Sequence, residues 1–292
     1  AGLMFLCQLV CWIYGEGMDD FVLPICVALL LGGLGVLLGR NAGKSMGRKD
    51  GYIIVSFIWV LFTLIGMLPF LLGNHVPDVA SAFFETMSGF TSTGATIIDD
   101  VDSMPHGILF WRSLTQWIGG IGIVFFTIAI LPAFGVGEVK LFAAESTGPL
   151  HDKVHPRISI AVRWIGGVYI ALTLLCVIAL LMCGMPLFDA VNYSLCTTAT
   201  GGYGTHSSLL GEYYHSPAIE YVLIFFMFVS GINYTLIYYT ILKGKVKKFF
   251  DNMELRTYLI IVLGASLACA VTLAVEVPGY GVEYAIRQSL FT

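Results

Sequence analysis

The 292 residues are 57% hydrophobic, 13% aromatic and only 12% charged, with a net charge of −4, and mean hydropathy is +0.85. Soluble domains carry about a quarter charged residues, so composition excludes a water-soluble enzyme, a disordered chain and a nucleic-acid-binding protein. Apolar runs of about 18 or more residues with few charges mark membrane-spanning helices, and the expected fold is an all-α, multi-pass membrane protein.

In chain order, seven stretches qualify as spans: 1–14 (truncated), 20–39, 53–72, 108–132, 160–183, 219–242 and 257–277. The chain starts at Ala1 inside an apolar run and stops at Thr292 in an unfinished element, so both ends read as cut. Seven cysteines show neither a CxxC pair nor zinc-type spacing, and are read as apolar fillers. Gly32-Gly33-Leu34-Gly35 and Gly119-Gly120-Ile121-Gly122 are read as helix-packing sites.

Basic residues fix the sides. Arg40, Lys44, Arg48 and Lys49 follow the second span. Lys140, Lys153, Arg157 and Arg163 follow the fourth, and Lys243, Lys245, Lys247, Lys248 and Arg256 follow the sixth. The alternate loops hold no Lys or Arg but carry Asp78, Asp99, Asp100, Asp102, Asp189 and Glu212. The positive-inside rule makes the basic loops cytoplasmic and the acidic ones external. Gly39 to Ser45 imitates a phosphate-binding loop but is one residue short and lacks the preceding strand, so it is read as a solvated turn.

The external segments 73–107 and 184–218 are long and apolar. Each begins with a break and a short amphipathic stretch, Asp78 to Phe90 and Leu187 to Cys196, too short to span and suited to a re-entrant half-helix. A Thr/Gly strip follows each: Thr91-Ser92-Thr93-Gly94-Ala95-Thr96, then Thr197-Thr198-Ala199-Thr200-Gly201-Gly202-Tyr203. Gly94 over Gly201 gives a repeat period of 107 residues, and a third copy opens with 257–277 and a short helix near Val282. The domain division is therefore 1–50 (N-terminal helix pair and loop), 51–135 (first helix–pore loop–helix repeat), 136–157 (cytoplasmic loop), 158–250 (second repeat) and 251–292 (start of a third).

Irregular backbone at membrane depth is tolerated only inside protein or along a watery cavity. Carbonyls of a Thr/Gly strip can replace a cation's hydration shell, and glycine adopts φ > 0 without steric cost. The half-helix aims its negative end at the strip, and Asp78, Asp99, Asp100, Asp102 and Glu212 add negative potential at the mouth. A selectivity filter is the expected function, and if Gly94 holds φ > 0 a side chain there should cost selectivity. Gly201 is expected to behave like Gly94, while Ala at Gly107, outside the strips, should be neutral. Arg112 lies within a span; Glu85 is its candidate ion-pair partner, and snorkelling to the interface is the alternative.

TSTGAT at 91–96, WRSLTQWIGGIGIVFFTIAILP at 111–132 and Gly201-Gly202-Tyr203 with Thr205-His206 resemble the pore subunit of Trk-type potassium uptake systems, in the Trk/Ktr/HKT superfamily. The resemblance implies fused helix–pore loop–helix units as in potassium channels, an added N-terminal helix pair, and potassium as substrate with no covalently bound cofactor. It implies filter residues Thr91, Ser92, Thr93 and Gly94, then Thr198, Ala199, Thr200 and Gly201. It also implies a homodimer in the bacterial inner (plasma) membrane with a cytoplasmic nucleotide-binding regulatory subunit. Third and fourth filters, the gating loop of repeat three and the arginine of repeat four have no counterpart within 1–292. A carrier for a larger solute and a membrane-embedded enzyme are the competing classes. All six histidines fall in loops or at span ends, which leaves no His within a span for acid–base or metal chemistry.

Overall fold

The computed structural model describes residues 1–41, 48–130, 154–208, 210–234, 236, 237, 240, 251–276 and 281–292. Among them all regular structure is helical. Most of the basic loop residues (Lys44, Lys140, Lys153, Lys243, Lys245, Lys247 and Lys248) and most of the phosphate-loop imitation lie outside the described residues. The chain divides into two compact units: Ala1–Val162 with Gly201–Ser207, and Arg163–Thr200 with Ser208–Thr292.

The first unit opens with the expected helix pair, α1 (Gly2–Tyr14) and α2 (Asp19–Gly39). Met4, Cys7 and Cys11 of α1 and Phe21 of α2 are buried. The distal part of α2 is bare: Leu30, Leu34, Val36, Leu37 and Leu38 are exposed, Leu38 by 83%. Water would penalise such a face by about 25 cal/mol per Å²; lipid would not. Gly32, Gly33 and Gly35 have no neighbour within 4 Å of a would-be Cβ among the described residues, so no packing partner for them is seen there.

The expected span 53–72 is two helices, α3 (Arg48–Gly66) and α4 (Leu68–Leu72). The interruption lies at Met67, just before Pro69, which brings no N–H to the ladder. α5 (Val79–Phe90) is the first half-helix. Asp78 caps it, accepting from the Ser81 N–H at 2.8 Å and from the Ser81 hydroxyl at 3.0 Å. Both carboxylate oxygens are thus engaged at the cap, and the exposed carboxylate keeps its charge, its pKa held below the usual range by those bonds. α6 (His106–Ile130) is the following span. A Cβ at Gly119 would overlap the Phe90 carbonyl, so this glycine of α6 lets the end of α5 approach its backbone. Gly107 is also confined, a Cβ there meeting the Cys11 Sγ, so it is a poor choice of neutral reference.

In the second unit, α7 (Val154–Met182, from Arg163 on), α8 (Leu187–Thr198), α9 (Leu210–Tyr214) and α10 (Pro217–Ser230) enclose a core of Cys176, Leu180, Met185, Ala190, Leu210, Ile219, Leu223 and Phe226. The expected span 219–242 is interrupted: α10 ends at Ser230, and helical structure resumes only at Tyr234. At 1.5 Å per residue α10 is roughly 21 Å long, short of the hydrocarbon core. α11 (Met253–Glu276) and α12 (Val282–Phe291) complete the unit and pack on each other. Among the described residues three helices are long and apolar enough to cross a membrane, Asp19–Gly39, Arg163–Met182 and Met253–Val275.

Candidate functional site

Each half-helix runs directly into its strip. After α5, the N–H groups of Thr91, Ser92 and Thr93 bond back to Met87, Gly89 and Ser88 at 2.9 Å each. The ladder then stops, because Ser92 takes φ 54° and Gly94 φ 76°. After α8, Ala199 bonds Leu195 at 3.2 Å and Thr200 bonds Thr197 at 3.0 Å. Thr200 then takes φ 54° and Gly202 φ 108°. A left-handed residue, an ordinary one, then a left-handed glycine: both strips carry this pattern. A strand of uniform φ points successive carbonyls to alternate sides; alternating handedness is what lets them face one way. Holding a non-glycine residue there costs roughly 1–2 kcal/mol, more for a β-branched Thr.

These angles correct the repeat register. The half-helices Val79–Phe90 and Leu187–Thr198 both have 12 residues, and their starts differ by 108, not 107. Gly94 therefore matches Gly202, and Ser92 matches Thr200. Gly201 matches Thr93 and is not among the positive-φ glycines. Thr197-Thr198 misleads the eye because both residues are still helical; Thr198 bonds its own helix, Oγ1 to the Ser194 carbonyl at 2.9 Å.

The side chains of the expected site residues divide accordingly. Thr91 and Thr93 are exposed, and their hydroxyls lie 2.8 Å apart. Gly94 adjoins Gly201 so closely that a Cβ would overlap the Gly201 carbonyl. In the second unit, Thr198 and Ala199 are buried and Thr200 is exposed. The Thr198 carbonyl is approached by the Tyr234 hydroxyl at 3.4 Å.

Behind the first strip lies a buried polar frame. Arg112 donates Nε to Glu85 Oε1 at 2.9 Å, with both side chains at most 2% exposed. Burial at that level is incompatible with snorkelling. Arg112 also donates to the Gly204 carbonyl and to Thr96 Oγ1, each at 3.2 Å, and its guanidinium lies 4.2 Å from the Tyr203 ring centroid. Glu85 in turn accepts from Thr96 Oγ1 at 3.0 Å and from the Ile97 N–H at 3.1 Å. The Ser88 hydroxyl donates to the Ala95 carbonyl at 2.6 Å, and the Tyr203 hydroxyl to the Glu85 carbonyl at 2.7 Å. A buried charge is costly unless paired and fully hydrogen-bonded; here the partners come from the first half-helix, the strips and the residues just past them, Ile97 and Gly204.

Outside the frame, Asp102 accepts from the His206 ring at 2.7 Å and from the Ser207 N–H at 3.0 Å. The Ser207 N–H, then the His206 ring, hold its carboxyl below the usual range. Asp189, counted with the external acids, is instead buried in the first turn of α8, bonded by the Tyr214 hydroxyl. The Glu212 side chain lies outside the described residues. Sequence reasoning missed Gly202, Tyr203 and Gln116 as site residues. Gln116 had one available signal, an amide alone in an apolar span.

Three comparisons bear on this geometry. Residues 18–277 match the family model TrkH, cation transport protein. The Trk system potassium uptake protein TrkH of Salmonella typhimurium is 37% identical over 278 residues, 94% of this chain and 57% of that protein. Its Escherichia coli K12 counterpart is 36% identical over the same shares. The crystal structure of the potassium transporter TrkH from Vibrio parahaemolyticus superposes with a TM-score of 0.87 at 32% identity, covering 99% of this chain and 59% of that one. The chain thus spans little more than half the length of the relatives it matches.

Proposed function

Because the chain belongs to the TrkH family of cation transport proteins, we propose that it carries the N-terminal helix pair, the first two pore loops and the start of a third of a potassium uptake protein of the bacterial inner membrane. Potassium is the substrate, bound by backbone oxygens of Thr91, Ser92, Thr93 and Gly94 in one strip. In the second strip the corrected register assigns Ala199, Thr200, Gly201 and Gly202, with Thr198 as the last helical residue before it.

One observation carries the proposal: the repeated pattern of left-handed backbone at Ser92 and Gly94 and at Thr200 and Gly202. Single non-glycine residues at φ > 0 also occur at Asn74 and His215, but among the described residues the strips alone pair one with a left-handed glycine two positions on, and such strain clusters at binding sites. Dehydrated potassium needs a full ring of oxygens, whereas sodium can pass partly hydrated. The domain division 1–50, 51–135, 136–157, 158–250 and 251–292 belongs to this reading, as do a homodimer and a cytoplasmic nucleotide-binding regulatory subunit facing the basic loops. Arg112 and Glu85 serve as the fixed support of the first loop and do not line the ion path.

The test is competitive rubidium and sodium uptake by the full-length protein in a host lacking other potassium uptake. Gly94→Ser should lower the potassium-over-sodium preference, with Gly167→Ala, where a Cβ meets nothing within 4 Å, as the neutral reference. Equal preference in both variants would remove the strips from the ion path.

A further inference from the structure

Gln116 is completely buried in α6 and touches both strips. Its main-chain carbonyl accepts from Ser92 Oγ at 3.3 Å. Its side-chain Oε1 accepts from the Tyr203 N–H at 3.3 Å, and a Cβ at Gly201 would overlap that same oxygen. Its Nε2 is buried with no hydrogen-bond partner among the described residues. An unmade buried donor costs free energy that an apolar side chain of similar size would avoid. The amide is therefore placed for its oxygen, not for packing.

Peptide geometry says what that oxygen does. The Gly202–Tyr203 peptide is planar and trans, since no peptide bond among the described residues is cis, so its C=O and N–H point in opposite directions. Fixing the Tyr203 N–H against Gln116 aims the Gly202 carbonyl away from α6. Gly202 has φ 108°, a conformation glycine holds without steric cost, so no side chain of its own restrains the peptide. Tyr203 itself is pinned at its far end by the hydroxyl bond to Glu85. Rotation of the 202–203 peptide is thus opposed at its N–H by Gln116 alone among the described residues.

We propose that Gln116 is a positioning residue of the filter, aiming the Gly202 carbonyl and setting the second strip against the first. The proposal rests on the strips being the filter. At 3.3 Å the contact is at the long end of hydrogen bonding, a restraint whose loss lets the peptide turn and removes one oxygen from the ring. Potassium selectivity is the quantity this should move.

The experiment measures competitive rubidium and sodium uptake by the full-length protein carrying Gln116→Met, which keeps volume but loses the acceptor, and Gln116→Glu, which keeps an acceptor. Gln116→Met should lower the potassium preference at least fivefold, and Gln116→Glu should hold it within twofold. Equal losses in the two, or no loss in Gln116→Met while Gly94→Ser loses preference, overturns the proposal. No loss in Gly94→Ser as well overturns the filter reading itself. Should Gln116→Met give no protein, Gly201→Ala decides: its Cβ displaces Gln116 Oε1 and should lower the preference. Adding Gln116→Asn, one methylene shorter, should relieve the overlap and restore part of it; no restoration overturns the proposal.

Discussion

The two strip-bearing loops share a backbone and differ in almost everything that fastens it. Each has a 12-residue half-helix, a strained residue two positions past its end, and a left-handed glycine two further on. The first half-helix is capped by Asp78, whereas the second starts at Pro186 with no side-chain cap bond. The first is braced by Glu85 and Arg112 of the helix that follows it. In the second unit the charge in the following helix is Glu220, opposite in sign, and it pairs forward with Arg287 of α12 at 2.6 Å. Gln288 adds a bond to Glu220 at 2.9 Å, and Arg287 keeps a second carboxylate, Glu283, also at 2.9 Å. What recurs is the strip conformation; the buried ion pairs differ in sign, place and partner.

The comparison breaks most visibly at these charges. Arg112→Met leaves Glu85 buried without its counter-ion and should cost about 3–5 kcal/mol, read as a large fall in the melting temperature of detergent-purified protein. Adding Glu85→Gln should recover much of it. Glu220→Gln should cost less, because Arg287 retains Glu283. Equal losses would mean that the two couples are equivalent supports after all.

Next in size are the glycines. Gly94→Ala meets both a positive φ and the Gly201 carbonyl, whereas Gly202→Ala meets the φ alone. Both should lower the potassium preference, Gly94→Ala more, in competitive uptake. Gly201→Ala acts through neither, and its effect should depend on the residue at 116.

The strained non-glycine residues give a smaller effect of opposite sign. Thr200→Gly relieves left-handed strain at a β-branched residue and should raise thermal stability by about 1 kcal/mol. Ser92→Gly should gain less, since serine is the smaller side chain and its hydroxyl bond to Gln116 is lost. A loss of stability in both would show that the φ values are not strained in context.

The smallest effect concerns the outer tie. Asp102 has a lowered pKa in the folded chain, so its contribution is complete above the ordinary value of 3.8 and lost as pH falls through the lower one. Asp102→Asn should therefore flatten the acid limb of the stability–pH curve below about pH 4 and change stability at pH 7 by under about 1 kcal/mol.

Hydropathy makes the spans legible, and the half-helices were readable as apolar stretches too short to cross. The first is placed to within one residue. The second ends two residues beyond Cys196, because Thr197 and Thr198 have strip composition but remain helical. Aligning the strips on their first glycines puts Gly94 over Gly201, one residue short of the match the half-helices give. The breaks at Met67 and after Ser230 interrupt runs that hydropathy reads as continuous. The frame of Glu85, Arg112, Tyr203 and Gln116 joins residues up to 118 apart in sequence. No local pattern encodes contacts at that range, although the isolated charge at Arg112 signalled that a partner was needed.

The return limb Gly201–Ser207 belongs to the same unit as α5 and α6, and that has a consequence for biosynthesis. When α6 leaves the ribosome, Arg112 can meet Glu85 at once, but the Gly204 carbonyl it also bonds lies 92 residues further on. Tyr203, which roofs the guanidinium, is as late. The nascent first loop therefore lacks these contacts until the second has been translated. Arg112 completes its bonding in two steps, to Glu85 first and to the return limb of the second loop last.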